Sequence, residues 1–251
     1  EKKLMSNHDF SGSLLVRLCD PDSDKTFTRQ IFPISILQST LYPTNSDRLS
    51  MINYFDNIIQ HIPNPSVSTG KGNYTGDVNG QGSIHSDSCF NWLLRIVEQK
   101  VLEYIGEFSP DISNICFYHQ KSWPVILQDG QSVSRHSHDN AQLSAVYYLN
   151  IPTPSEGGNI VFYNPSESIL PTFGGGSKLL KKQHHAFGFQ PVTDMLIIFP
   201  SALDHEVSKY QSSMPRYSVT FDIAITASIY AGSGQIENIP PNISLWQPFS
   251  T

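Results

Sequence analysis

Apolar residues recur along the chain with two different periods, and the change of period divides it. From Asp47 to Ile62, Leu49, Ile52, Phe55, Ile59 and Ile62 fall on one helical face. Ser46 or Asp47 can cap this helix and Pro63 ends it. From Asp87 to Ile105, a second stripe runs through Phe90, Leu93, Leu94, Val97, Val101, Tyr104 and Ile105, with Gly106 just past its end. Between the two, residues 63–83 are rich in Gly, Asn, Ser and Thr and predict a long surface loop, of the kind that often closes over a site. Beyond Ser109 the pattern shortens to runs rich in β-branched and aromatic residues, broken by Pro-Thr-Pro, Gly-Gly and Asp-Gly. The runs are 112–119, 123–128, 143–150, 159–163, 186–189, 195–199 and 217–226.

About seven strands behind an N-terminal helical part predict an α+β chain, mainly β: a sandwich or barrel with helices on one face. We read a single domain over residues 1–251, made of a helical support region with its long loop (1–110), a β core (111–228) and a C-terminal tail (229–251) that wraps the body or is loosely held. No internal repeat is visible, which argues against solenoids and propellers.

Composition narrows the partners. Charged residues are 15% of the chain, well under the usual quarter, and 16 basic against 22 acidic residues give a net charge of −6. That balance leaves no electrostatic footprint for nucleic acid or an anionic membrane. No apolar run approaches the roughly 20 residues that span a bilayer. The N-terminus has neither a signal-peptide core nor a starting Met, as in an excised segment of a longer protein. Cys19, Cys89 and Cys116 are odd in number and widely spaced, which fits reduced thiols and a cytoplasmic location.

Three features carry candidate chemistry. In Arg135-His136-Ser137-His138-Asp139-Asn140, the two histidines share a face of an extended chain and can converge as metal ligands, although a solvated turn reads equally well. His205 follows the buried run MLIIFP, far enough along the chain for strands to fold it back beside that pair; alone it reads as a turn histidine. Arg216 and Ser218 share one face at the start of the last strong strand, and a guanidinium with a hydroxyl makes a socket for a carboxylate. The plain alternative is an edge-strand arginine in a surface ion pair. Other residues read more simply: His184-His185 behind Lys181-Lys182 as a polar loop, His119 as a hydrogen-bonded wall residue, and Gly174-Gly175-Gly176 as a flexible connector. Trp123, Tyr147, Phe162 and Phe221 are core candidates, and Gln128 is a weak candidate for the metal mouth.

In this order the features resemble the Fe(II)/2-oxoglutarate-dependent oxygenase superfamily, in its H-x-H branch and with a prolyl-hydroxylase-like strand. The matching stretches are SWPVILQDGQ, HSHDNAQLSAVYYLN, GGNIVFYNP, MLIIFPSALDHEV and RYSVTFDI, roughly the second half of the chain. The resemblance implies a double-stranded β-helix, a jelly-roll like that of the cupins. It maps His136 and His205 onto metal ligands and Arg216, Ser218 and Tyr148 onto the 2-oxoglutarate carboxylate. Gly157-Gly158 becomes a tight turn before the next strand.

The superfamily's usual H-x-D is here H-x-H followed by Asp139. Strand alternation favours His138 as the third ligand, while a turn at His138 would bring in Asp139. Three neutral imidazoles would leave the metal one unit more positive than the usual triad, so that the dianionic co-substrate carries more of the compensation. The implied activity is a dioxygenase using Fe(II), 2-oxoglutarate and O2 to hydroxylate a C–H bond of a peptide, protein or amino acid, releasing succinate and CO2. The competing readings are a three-histidine cupin enzyme that does not use 2-oxoglutarate and a non-catalytic jelly-roll binding module; the direction of Arg216 separates them. The oligomeric state is left open, a homodimer being allowed.

Overall fold

The computed structural model describes residues 34–61, 74–109, 111–113, 115–152, 156–165, 186–227 and 246–250. By its contacts the chain divides into residues 1–34 and 35–251, and every element named below lies in the second part. Cys19, Gly174-Gly175-Gly176, Lys181-Lys182, His184-His185 and residues 62–73 of the long loop fall outside the described residues.

The large sheet is antiparallel and runs β1 (Leu37–Thr40), β9 (Met195–Pro200), β5 (Leu143–Asn150), β12 (Arg216–Ala227), β3 (Ile115–Leu127) and β13 (Gln247–Pro248), with β2 (Tyr74–Thr75) also pairing β3. A smaller antiparallel sheet runs β4 (Val133–His136), β10 (His205–Val207), β7 (Ile160–Tyr163) and β8 (Ala186–Phe189). A third pairing joins β6 (Glu156–Gly157) to β11 (Tyr210–Gln211). The two predicted runs 112–119 and 123–128 are one continuous strand, β3.

Alternation along β5 and β9 sorts their apolar side chains into two cores. Val146, Tyr148, Met195, Ile197 and Phe199 turn inward to meet Ile160 and Phe162 of β7 between the sheets. Leu143, Ala145, Tyr147, Leu149, Leu196 and Ile198 turn outward onto α1 (Asn45–His61) and α2 (Asn91–Gly106). Both faces of these strands are buried, so they read as continuous apolar runs. This is the double-stranded β-helix with helices packed on one face. Removing one large inward side chain, Phe199→Ala for example, is expected to cost about 3–5 kcal/mol.

The helices differ from expectation in detail. α1 begins after Thr44, whose Oγ1 accepts the Asp47 N–H at 3.1 Å while its hydroxyl donates to the Asp47 carboxylate at 2.6 Å, so the cap lies upstream of Ser46 and Asp47. Its buried stripe is Met51, Phe55 and Ile58, and Leu49 is exposed. α2 is preceded by a 3-10 turn over Ser88–Phe90, where the Asp87 side chain accepts the Cys89 N–H, and Gly106 is its last residue. The predicted loop is interrupted by β2, and the tail ends in β13, whose neighbour Phe249 stacks on Phe117. Cys89 and Cys116 are free thiols, and among the described residues no helix is long and apolar enough to cross a membrane.

The central strand β12 sets the site. Its outward residues Tyr217, Val219, Phe221 and Ile223 are core, whereas its inward residues Arg216, Ser218, Thr220 and Asp222 form a buried polar row. A polar row on the concave face of an otherwise apolar strand calls for partners inside the barrel.

Candidate metal centre

At one end of that row three imidazoles meet. His136 ends β4 and His205 begins β10, and the two are direct cross-strand partners with ring centroids 4.4 Å apart. His138 lies one turn further, its backbone N–H donating to Ser201 O at 2.9 Å, which holds the turn against the end of β9. One ligating nitrogen from each of His136, His138 and His205 lies within 4.8 Å of the others. Asp139 stays outside this cluster: it is exposed and accepts the Ser137 hydroxyl at 2.7 Å.

Each imidazole is tied by its Nδ1. His136 bonds Ser134 O at 2.7 Å, His205 bonds Leu203 O at 2.9 Å and His138 bonds the Asp222 carboxylate at 2.6 Å. Oxygens of these kinds only accept, so the proton sits on Nδ1 and a neutral ring offers its Nε2 lone pair. Burial pushes the His205 pKa down to about 3, aided by repulsion from His136, and burial likewise lowers that of His136. Neutral imidazoles with fixed tautomers are what a borderline divalent metal requires.

Arg216 lies at the other end of the row, on a central strand and buried, which excludes the surface ion pair. Its Nη1 donates to Gly158 O at 2.5 Å and its guanidinium lies 4.9 Å from the Tyr148 ring centre. Burial lowers its pKa, yet a guanidinium keeps its proton in proteins. Arg216 Nε and Tyr148 Oη are both buried with no hydrogen-bond partner among the described residues, and no carboxylate there pairs with Arg216. Ser218 points inward beside them. A buried cation with an unsatisfied N–H of its own, beside an unsatisfied hydroxyl, fits an anionic partner. Gly157 and Gly158, at φ of 67° and 64°, make the turn that presents the carbonyl to Arg216.

Outside the imidazoles a cleft of about 800 Å³ opens, bordered by Lys121, Trp123, Arg135, Asp139, Asn140 and Trp246. The ring centres of Trp123 and His138 are 5.5 Å apart, and Lys121 Nζ lies 5.1 Å from the Trp123 ring centre. Trp123 is therefore both a core residue and a wall of the cleft; Tyr147, Phe162 and Phe221 are buried as expected. Gln128 follows Leu127, the register partner of Arg216, and so sits away from the imidazole end. His119 bonds Glu98 at 3.0 Å in the outer core. Asp222 was not foreseen; counting inward positions from Arg216 in steps of two would have reached it.

Residues 121–222 match a family model described as "Putative 2OG-Fe(II) oxygenase". Among solved structures, the non-heme alpha ketoglutarate dependent epimerase SnoN from nogalamycin biosynthesis is 11% identical, with 87% of this chain and 92% of that one covered at a TM-score of 0.57. A Pseudomonas putida prolyl-4-hydroxylase is 18% identical over 75% of this chain and 92% of that one at 0.49. An oxidoreductase of the 2OG-Fe(II) oxygenase family from Burkholderia pseudomallei is 13% identical at 0.36, and the chain spans only 49% of its length and 49% of its own. A search of curated proteins finds no significant match.

Proposed function

We propose, from the premise that residues 121–222 of this chain belong to the 2OG-Fe(II) oxygenase family, that His136, His138 and His205 hold Fe(II) and that Arg216, Ser218 and Tyr148 hold the far carboxylate of 2-oxoglutarate. One observation carries this reading: the buried, carboxylate-free guanidinium of Arg216 beside the unpartnered Tyr148 hydroxyl, on the same inward row of β12 that reaches His138 through Asp222. When bound, iron and 2-oxoglutarate supply the oxidation of a C–H bond by O2, with succinate and CO2 as co-products.

The chain's own residues bind, orient and exclude. The Ser134 and Leu203 carbonyls and the Asp222 carboxylate keep the three Nδ1 protons in place, so Nε2 faces the metal. After the Arg216 bond to Gly158 its Nε–H still lacks a partner and is available to a carboxylate, and the unpartnered Tyr148 hydroxyl adds a second donor. Phe162 and Phe199 pack on His205 at 6.0 and 4.9 Å and keep water from the back of the site. The open cleft leaves the imidazoles approachable from one side.

The substrate we favour is a peptide, protein or amino acid, hydroxylated at carbon. The size and polar lining of the cleft and the prolyl-hydroxylase-like YYLN strand support it. A three-histidine enzyme that does not use 2-oxoglutarate would leave Arg216 buried without an anion, which speaks against it. Adding Fe(II) and 2-oxoglutarate without oxygen is expected to give a weak visible charge-transfer band, and admitting oxygen with a peptide library should release succinate. A protein that binds Fe(II) but shows neither band nor succinate would refute the 2-oxoglutarate assignment.

A further inference from the structure

Resting on the reading that His136, His138 and His205 hold a divalent metal, we infer that Asp222 supplies the negative charge this ligand set lacks, acting through His138 as a positioning residue without touching the metal. A facial triad with one carboxylate leaves a divalent ion with a formal charge of about +1, whereas three imidazoles leave about +2. The Asp222 carboxylate, 2.6 Å from His138 Nδ1, returns one unit of negative charge at one bond's remove.

The carboxylate is built into its place. Ser144, its cross-strand partner on β5, donates to Asp222 Oδ1 at 3.0 Å, and the Ser144 and Ser201 hydroxyls are 2.9 Å apart. Ser201 O in turn accepts the His138 N–H, so a closed ring of bonds fixes both the backbone and the imidazole of His138. All three of Asp222, Ser144 and Ser201 are buried. The strand register against β3 shifts between Asp222 and Ile223, and such bulges re-aim a side chain beside a site. Among the described residues no lysine or arginine pairs with Asp222; its ion-pair partner is His138. An imidazole that donates to a carboxylate is a fixed tautomer and a stronger donor through its other nitrogen. Asp222 thus does from behind His138 what Asp139, turned to solvent, does not do in front.

The test uses Co(II), which is insensitive to oxygen, titrated into wild type, Asp222→Asn, Asp222→Ala and His205→Ala, each first shown to melt cooperatively without metal. Wild-type binding that His205→Ala abolishes establishes the metal site; its absence would overturn the metal reading and this inference with it. Given that site, both Asp222 variants are expected to bind Co(II) about 10–100-fold more weakly with an altered visible spectrum. Asp222→Asn binding with wild-type affinity and spectrum would overturn the inference alone. If the variants do not fold, nitrogen NMR of Zn(II)-loaded wild type decides: a protonated His138 Nδ1 with metal at Nε2 is expected, and metal at Nδ1 overturns it.

Discussion

His136 and His205 are register partners across β4 and β10, so a single cross-strand pairing brings together two imidazoles far apart in sequence. Because the pair belongs to the ladder of the small sheet, its geometry is fixed by backbone bonds before any ligand arrives. Addition of Fe(II) or Co(II) should therefore raise the melting temperature without a change in secondary structure; at a hundred times the dissociation constant the gain is about 2.7 kcal/mol. His205→Ala should erase that rise. A thermal melt with and without metal measures both, and a metal-induced rise that survives in His205→Ala would contradict the assignment of this pair.

Arg216 is expected to act on co-substrate affinity more than on turnover. Arg216→Ala removes a charged hydrogen bond worth about 2–3 kcal/mol, so the KM for 2-oxoglutarate should rise roughly 30–150-fold. Tyr148→Phe deletes one neutral donor and should raise it only about fivefold, for a loss of about 1 kcal/mol. Steady-state kinetics at varied 2-oxoglutarate separates the two. Equal KM values for wild type and Arg216→Ala would place the carboxylate elsewhere.

Part of this candidate site was legible because side chains alternate along strands. Arg216 with Ser218 follows from counting by two, and the long apolar runs marked the strands that form both cores, whereas His138 lies past the end of β4 and is brought beside His136 by a turn held to Ser201. Three further features were not legible. Short strands such as β4 and β10 carry too few residues for a pattern, so the pairing that joins His136 to His205 appears only in three dimensions. Leu49 and Ile52 lie close enough to the buried stripe of Met51, Phe55 and Ile58 that a helical wheel alone shifts the face by part of a turn. Asp222 lies in a strand whose outward face looks like ordinary core, and its partner is 84 residues upstream.

The adjacent glycines at 157 and 158 should fail in different ways when changed to alanine. A Cβ on Gly157 would lie 1.8 Å from Lys209 O, a backbone atom that cannot step aside, and φ is 67° there. Gly157→Ala should cost at least about 2 kcal/mol of stability. On Gly158 the Cβ would meet Arg216 Nη1 and a Tyr210 ring carbon, each at 3.0 Å. Gly158→Ala should therefore weaken 2-oxoglutarate binding as well as stability. Urea melts together with 2-oxoglutarate titration read the two effects, and unimpaired binding in a folded Gly158→Ala protein would detach this turn from Arg216.

Buried neutral histidines should make the metal-free protein sensitive to acid. His85 is almost fully buried, its ring stacked 5.9 Å from His119 and its Nδ1 bonded to Ser122 Oγ at 2.7 Å; burial, with repulsion from His119, lowers its pKa to about 4. His205 behaves alike, down to about 3. Below the ordinary value near 6.5 the unfolded chain takes up protons that the folded one refuses, so stability is complete above that pH and is lost as pH falls toward 4. Each such histidine adds at most about 1.4 kcal/mol per pH unit to the slope. In His85→Asn the amide oxygen can replace Nδ1 opposite Ser122 without titrating, and the slope between pH 6 and 4.5 should flatten by up to that amount. Urea unfolding with chelator at several pH values measures it; an unchanged slope in His85→Asn would mean that His85 takes up its proton equally in both states.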